Sequence, residues 1–332
     1  MKQVFAGEAL EAVLAAAQRP TSNEDSRTDR SSSLGGLRRR FVTSPWCKSR
    51  VGTLAAALGV LGIIARGVTA QAPADLTDVL ARVGDRVRQF YGRAQSIVCF
   101  ERVTVQPLRR DMMPEGFSRV LDFELRIDWD ASAGGDQPPE ARIMRELRKV
   151  NGRTPRPKDL DACLDPKSGA LEPLAMLLPH HREEYTFAWT GFSRLKNKRA
   201  MMLEYKSRVA GPIEGKWKGD CVSIDAPGRT KGRIWLDEMT HDVLRLDEQL
   251  TGQFEYRVPR EHWGFNGPMT WVVERADSSV RYRAVAFHDP EEIVLLPESI
   301  ELLTIFRNAQ SYRISQTFSE YKRFMTAGRI VK

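Results

Sequence analysis

Leu121-Asp122-Phe123-Glu124-Leu125-Arg126-Ile127-Asp128-Trp129 is the stretch on which the fold turns. Apolar and charged side chains alternate through it without a break. Successive side chains of an extended strand point to opposite faces, so a period of two marks a strand, not a helix. One face is apolar and the other charged. Such a strand cannot be buried on both sides and belongs to an antiparallel sheet with one face on a core and one in water.

Upstream, Leu76, Val79, Leu80, Val83, Val87, Phe90 and Tyr91 recur at helical spacing and predict an amphipathic helix over 76–91. Asp75 is placed to cap it, Asp78 adds negative charge to the first turn, and Gly92 is expected to end it. The helix has one apolar stripe and must lie on an apolar surface, which the 121–129 strand supplies. Segment 96–106 is rich in β-branched residues and reads as a strand; 142–150 returns as another after a Gly/Pro turn over 131–139. Then come an irregular connection over 151–168 and a short helix over 171–178, stopped by Pro179. Further strands are expected at 184–192, 200–209, 221–224, 232–237, 243–249, 270–275, 280–287, 299–306 and 311–318. A turn is expected at 276–279. Strands dominate, mostly in hairpins, and helices keep to the first half.

Residues 38–72 read as a secretion signal. Arg38-Arg39-Arg40, Lys48 and Arg50 form a positive region, an uncharged apolar run covers 54–65, and Val68 and Ala70 suit cleavage after Ala70. The run falls short of the roughly 20 residues that span a bilayer, which favours cleavage over the alternative, an uncleaved anchor. Residues 1–37, Ser-rich over 21–36, read as a disordered extension. The expected organisation is therefore 1–37 extension, 38–70 signal, and 71–332 as one β domain, exported to the periplasm or secreted. Residues 1–70 hold ten basic against five acidic residues, which leaves 41 against 38 in the rest. The excess of +8 thus sits largely in the signal region, and a nucleic-acid partner, which needs a basic stripe on the folded domain, is not expected.

Three cysteines follow Ala70. An oxidising compartment permits one disulfide. Cys163 lies in an irregular segment that can reach a partner, so Cys163 and Cys221 are the expected pair, with Cys99 fixed in a strand, buried and reduced. His180-His181 lies near Glu183 and Glu184 but reads as a loop entering a strand, with no third ligand, so no metal site is assigned. The carboxylate pairs Glu183-Glu184, Asp237-Glu238 and Glu291-Glu292 are sequence neighbours beside turns and do not converge on a site. A nucleophile elbow, a phosphate-binding loop and a dinucleotide glycine motif are absent from the sequence. Neither catalysis nor a cofactor is expected.

Two further stretches bear on family. Gly232-Arg233-Ile234-Trp235-Leu236-Asp237 leads through a turn into Val243-Leu244-Arg245-Leu246-Asp247, and Leu295-Leu296-Pro297-Glu298-Ser299-Ile300 stands near the end. With the helix-then-strand order over 75–324, they resemble the periplasmic lipoprotein-carrier and outer-membrane lipoprotein-sorting superfamily. The resemblance implies a mainly β (α+β) fold: a curved antiparallel sheet forming an unclosed barrel, with the N-terminal helix and one or two short helices on its concave side. It implies a cavity for acyl chains, for which Val83, Val87, Leu121, Phe123, Leu125, Ile127 and Trp129 are the candidate lining, although the same residues also suit a dry core. The expected function is non-enzymatic binding of an apolar ligand, a lipid or acylated protein. An interaction or sensor module contacting another envelope protein is the alternative, and a secreted hydrolase the third. Membrane contact is expected only through an uncleaved signal.

Overall fold

The computed structural model describes residues 75–94, 96–129, 141–159, 173–218, 221–263, 267–288 and 291–323. They fall in one compact unit. The signal region, the 1–37 extension and Cys163 lie outside the described residues, as do the side chains of Trp129 and Cys221.

Helix α1 spans Leu76–Arg93. Its cap is the expected one: the Thr77 N–H donates to Asp75 Oδ1 at 3.1 Å, satisfying one of the amides that a helix start leaves unpaired. Its end is not. Gly92 lies inside the helix, which closes one residue later with the Ala94 N–H on the Phe90 carbonyl. Val79, Val83, Val87 and Tyr91 are buried, as their spacing predicts.

The strands are β1 (Ile97–Leu108), β2 (Arg119–Trp129), β3 (Ala141–Val150), β4 (Tyr185–Leu195), β5 (Lys198–Ser207), β6 (Glu214–Lys218), β7 (Cys221–Asp225), β8 (Thr230–Asp237), β9 (Val243–Leu250), β10 (Phe254–Arg257), β11 (Thr270–His288), β12 (Glu291–Phe306) and β13 (Ser311–Arg323). One antiparallel sheet runs in the order β3-β2-β1-β13-β12-β11-β9-β8-β5-β4, with β10 also on β11; β6 and β7 form a separate hairpin. The end strands β3 and β4 do not pair with each other, so the sheet is an unclosed half-barrel. Register shifts in β1, β4, β8, β11 and β12 bend it. The C-terminal strands β12 and β13 join the same sheet, as the sequence suggests.

The 121–129 alternation fixes the sheet's two faces. Leu121, Phe123, Leu125 and Ile127 enter one core with Cys99 and Val103 of β1, Leu203 of β5, Ile234 and Leu236 of β8, Leu246 of β9, Ile300 of β12 and Ile314 of β13. The buried side of α1 and the segment 174–178 complete that core. A Val or Leu fully buried here contributes roughly 1.5–3 kcal/mol. The seat of α1 is tight at Gly84: a Cβ there would come within 2.1 Å of Arg182 Nη2 and 3.1 Å of the Leu177 carbonyl.

Four further expectations need correction. The 276–279 turn does not form, because Asp277, Ser278 and Ser279 pair with β9 on one side and β12 on the other, making β11 continuous. Pro179 does stop a helical segment, a 3-10 turn at Pro173–Leu177, but it also opens the short helix α2 (Pro179–Arg182), so His180 and His181 are helical rather than in a loop. Proline suits a first helical turn because its missing N–H would be unpaired there anyway. The face opposite Leu121 is not wholly wet: Asp122 is buried, held by Arg102 Nε at 2.7 Å and Nη2 at 3.3 Å from the directly opposite position on β1. Strands β6 and β10 lie where the sequence pattern marks no strand.

Candidate functional site

The open space lies on the sheet's charged face. A groove of about 770 Å³ crosses from β4 through β5, β8, β9, β11 and β12 to β13. At a strand spacing near 4.8 Å it is roughly 25–30 Å long. Strand register builds its walls. Ala188, Glu204, Arg233, Asp247, Ser279 and Glu301 stand opposite one another in turn across neighbouring strands. Two residues along each strand, Thr186, Lys206, Lys231, Gln249, Asp277 and Leu303 form a second row, and Arg313 continues it on β13. The first wall carries three carboxylates against one guanidinium, the second three cations against one carboxylate.

The first wall is pre-ordered by ion pairs. Arg245 donates to both oxygens of Asp247, at 2.7 and 2.8 Å, and the Ser279 hydroxyl donates to Asp247 Oδ1 at 2.7 Å. Arg233 donates to Glu204 at 2.5 Å, and Ser315 to Glu301 at 2.7 Å. Trp235 lies between two guanidinium groups, 5.8 Å from Arg233 and 4.7 Å from Arg245, a cation–π arrangement that holds a large apolar surface beside planar polar groups. On the second wall Lys206 and Lys231 occupy directly opposite positions, and both are exposed. Like charges placed so repel, and neither lysine has an ion-pair partner among the described residues.

Under the groove, on the covered face, Glu248 accepts the Tyr205 hydroxyl at 3.0 Å and a hydrogen bond from Thr230. Burial pushes its carboxyl up to about 7 against those bonds. It alternates with the wall residues Asp247 and Gln249 along β9 and itself borders the groove. Farther along the covered face, Glu101 and Arg145 form a buried pair: Nη2 donates to Oε1 at 2.9 Å, while Nε reaches Oε2 at 2.9 Å without hydrogen-bond alignment. Burial pushes the Glu101 carboxyl up, opposed by Arg145. Cys99 is a free thiol, raised to about 12 by burial and then by Glu101, which leaves it protonated and unreactive near neutral pH. His181 Nδ1 lies 3.2 Å from Glu184 Oε1, and no group of three metal-ligating side chains occurs among the described residues. No helix among them is long and apolar enough to cross a membrane.

The sequence-designated lining residues are elsewhere. Val83, Val87, Leu121, Phe123, Leu125 and Ile127 come together, but between α1 and the sheet, with 0–4% of their surface exposed. None of them lines the groove. Sequence reasoning missed the groove because its lining comes from seven strands, one to four residues from each. The one local signal was the Arg233-x-Trp235 and Arg245-x-Asp247 alternation of the β8–β9 hairpin, which marks the same face.

No protein-family model matches the chain, and no curated protein matches it in sequence. Among solved structures it is similar to a LolA superfamily protein from Nitrosomonas europaea (9% identity, TM-score 0.34, covering 76% of this chain and 97% of that one). It is also similar to an outer membrane lipoprotein-sorting protein domain from Vibrio parahaemolyticus (9%, 0.32, 75% and 95%) and to a DUF1329 family protein from Desulfovibrio piger (8%, 0.37, 76% and 95%). At these identities and scores the likenesses carry no argument about the ligand or partner of this chain.

Proposed function

We propose that the chain is a non-enzymatic binding protein of an exported compartment, and that its ligand is an extended polypeptide segment of another envelope protein lying across the sheet at Trp235. The groove is the observation that carries this reading. Its length suits an extended chain, and its two walls lean to opposite charge. A peptide offers both charges together with apolar side chains, whereas an acyl chain calls for aliphatic walls. Trp235 and Arg245, which flank the first wall, are of the residue types that dominate the energy of protein interfaces. Wall one needs little ordering on binding because its ion pairs are already formed.

A second reading keeps the apolar ligand, a lipid or acylated protein, between α1 and the sheet. The apolar surface running from Val83 and Val87 to Leu121, Phe123, Leu125 and Ile127 favours it; α1 would have to lift, since those side chains are closed against one another. A photoreactive side chain at Gln249, on the groove rim, separates the two in the native envelope. Adducts to one defined segment of a protein, lost in Trp235→Ala, support the groove. Adducts at Gln249 that survive Trp235→Ala, or none at all while a probe at Val87 captures lipid, overturn it.

A further inference from the structure

The loop over 109–118, between β1 and β2, holds large apolar side chains out in water. Phe117 is 99% exposed, Met113 54% and Met112 37%. The loop is ordered by its own hydrogen bonds. Arg109 N–H donates to the Met113 carbonyl and Met112 N–H to the Arg109 carbonyl, both at 2.8 Å; Glu115 N–H reaches the Pro107 carbonyl at 2.8 Å. The β12–β13 turn braces it from outside through Gln310 Nε2, 2.8 Å from the Leu108 carbonyl and 3.0 Å from Glu115 Oε2. A braced loop presents its tips without an ordering penalty on contact, so the exposure of Phe117 is built into the fold.

We infer that this loop is a membrane-docking element whose occupant is an anionic phospholipid surface. Three side chains fall far short of the roughly 20–30 residues per side that a stable protein interface takes. A bilayer interface accepts single apolar tips, each contributing in proportion to the area it buries. Charge complementarity selects the anionic surface. Arg153 and Arg156 lie in the turn joined to this sheet end through Val120 and Asn151, Arg307 is in the β12–β13 turn, and Arg109 and Arg110 are in the loop itself. Ion pairs commit Arg153 to Asp159, Arg109 to Asp111 and Arg307 to Glu274, and Glu115 bonds Gln310, so the positive surplus at this end is carried by the exposed Arg110 and Arg156. The basic wall of the groove, Lys206, Lys231 and Arg313, is also the wall nearer this end, since Arg313 lies two residues from Ser311 where β13 meets the loop-bearing end of β1. The inference does not depend on the groove's ligand.

The test is flotation of the full chain with phosphatidylcholine vesicles, with and without phosphatidylglycerol. Wild-type chain should favour the phosphatidylglycerol vesicles, and added salt should weaken the preference. Phe117→Ser should lower the partition coefficient by roughly ten- to a hundredfold. Met113→Ser, at a less exposed tip, should lower it by less. Because both chains carry the apolar run over 54–65, the difference between them reports the loop. Thermal melting unchanged in Phe117→Ser shows the fold intact, as full exposure predicts. Partition unaffected by both substitutions, or equal partition into neutral and anionic vesicles, overturns the proposal. So does a concentration-dependent dimer, seen by sedimentation without lipid and lost in Phe117→Ser, which would assign the loop to a second copy.

Discussion

Glu248→Gln should change how stability depends on pH, in a direction that the structure fixes. Glu248 sits between Gly232 of β8 and Ser278 of β11 on the covered face, accepting from Tyr205 and Thr230. Burial raises its carboxyl from 4.5 to about 7. Between those values the folded chain holds a proton that the unfolded chain has released. Stability then falls as pH rises through the window and is flat on either side of it. The shift corresponds to about 3 kcal/mol as an upper value. Glu248 is only half-buried, and screening by solvent brings the expected loss to about 1–2 kcal/mol. Glutamine keeps an oxygen for Tyr205 and Thr230 but carries no titrating proton. Guanidinium unfolding of both chains across the pH range isolates the group, because all other titrations cancel in the difference. The variant should match the wild type near the acid end of the window and exceed it above about pH 7. A difference that stays flat, or wild type gaining on the variant with rising pH, would refute the reasoning, since it would mean the carboxylate is favoured by its two hydrogen bonds over its burial.

Glu101→Ala leaves the Arg145 guanidinium buried without its carboxylate and should lower unfolding free energy by about 3–5 kcal/mol; the double replacement Glu101→Leu with Arg145→Met should recover most of that in the same denaturant titration. Leu125→Asp puts an unpaired charge among Cys99, Leu121 and Ile127 and should cost several kcal/mol, on the order of the largest single-site effects, measured as a drop in melting temperature. Native N-terminal sequencing should find Gln71 or Pro73 at the start of the mature chain, and full-length protein in the cytosol would exclude the signal reading.

Elements with a strict period were legible in the sequence, and elements defined by distant partners were not. The alternation at Leu121–Trp129 and the stripe Leu76 to Tyr91 each encode burial in their own spacing, which is why β2 and α1 fall where the pattern puts them. Ala276 to Ser279 reads as a turn because it is small and polar. It is a strand because Asp247 and Gln249 pair with it on one flank and Glu301 and Leu303 on the other, information held far away in the chain. Pro297 has the same explanation: it sits at the register shift between Arg281 and Tyr282, where its missing N–H does not break the ladder, so β12 extends back to Glu291. The candidate site was less legible still. Apolar periodicity finds what is buried, and it gathered Val83, Val87 and Phe123 into one core. A groove on the wet face leaves no period, because its residues are polar, singly placed and brought together only by register.

The two faces of one sheet thus differ in chemistry. The covered face is closed by α1, segment 174–178 and the β6–β7 hairpin, whose Trp217 donates to the Tyr256 hydroxyl at 3.0 Å and stacks on His262. Any ligand there must displace packed apolar surface, at a cost that grows with the area uncovered. The charged face needs no such opening. Its basic wall lies toward the end that bears Phe117 and Met113, and its acidic wall lies one step farther along the strands. A chain held by docking at an anionic surface would present Lys206, Lys231 and Arg313 nearest the headgroups and Glu204, Asp247 and Glu301 farther out. Phospholipid headgroups would then neutralise the Lys206–Lys231 repulsion that the fold leaves uncompensated. An extended peptide lying along the groove would complement both walls by turning acidic side chains toward the docked end and basic ones away from it. On this geometry, exchanging one charge of each wall by Lys206→Glu with Glu204→Lys should weaken flotation with phosphatidylglycerol vesicles while leaving Phe117 as exposed as before, which would assign part of the electrostatic attraction to the groove and the apolar part to the loop.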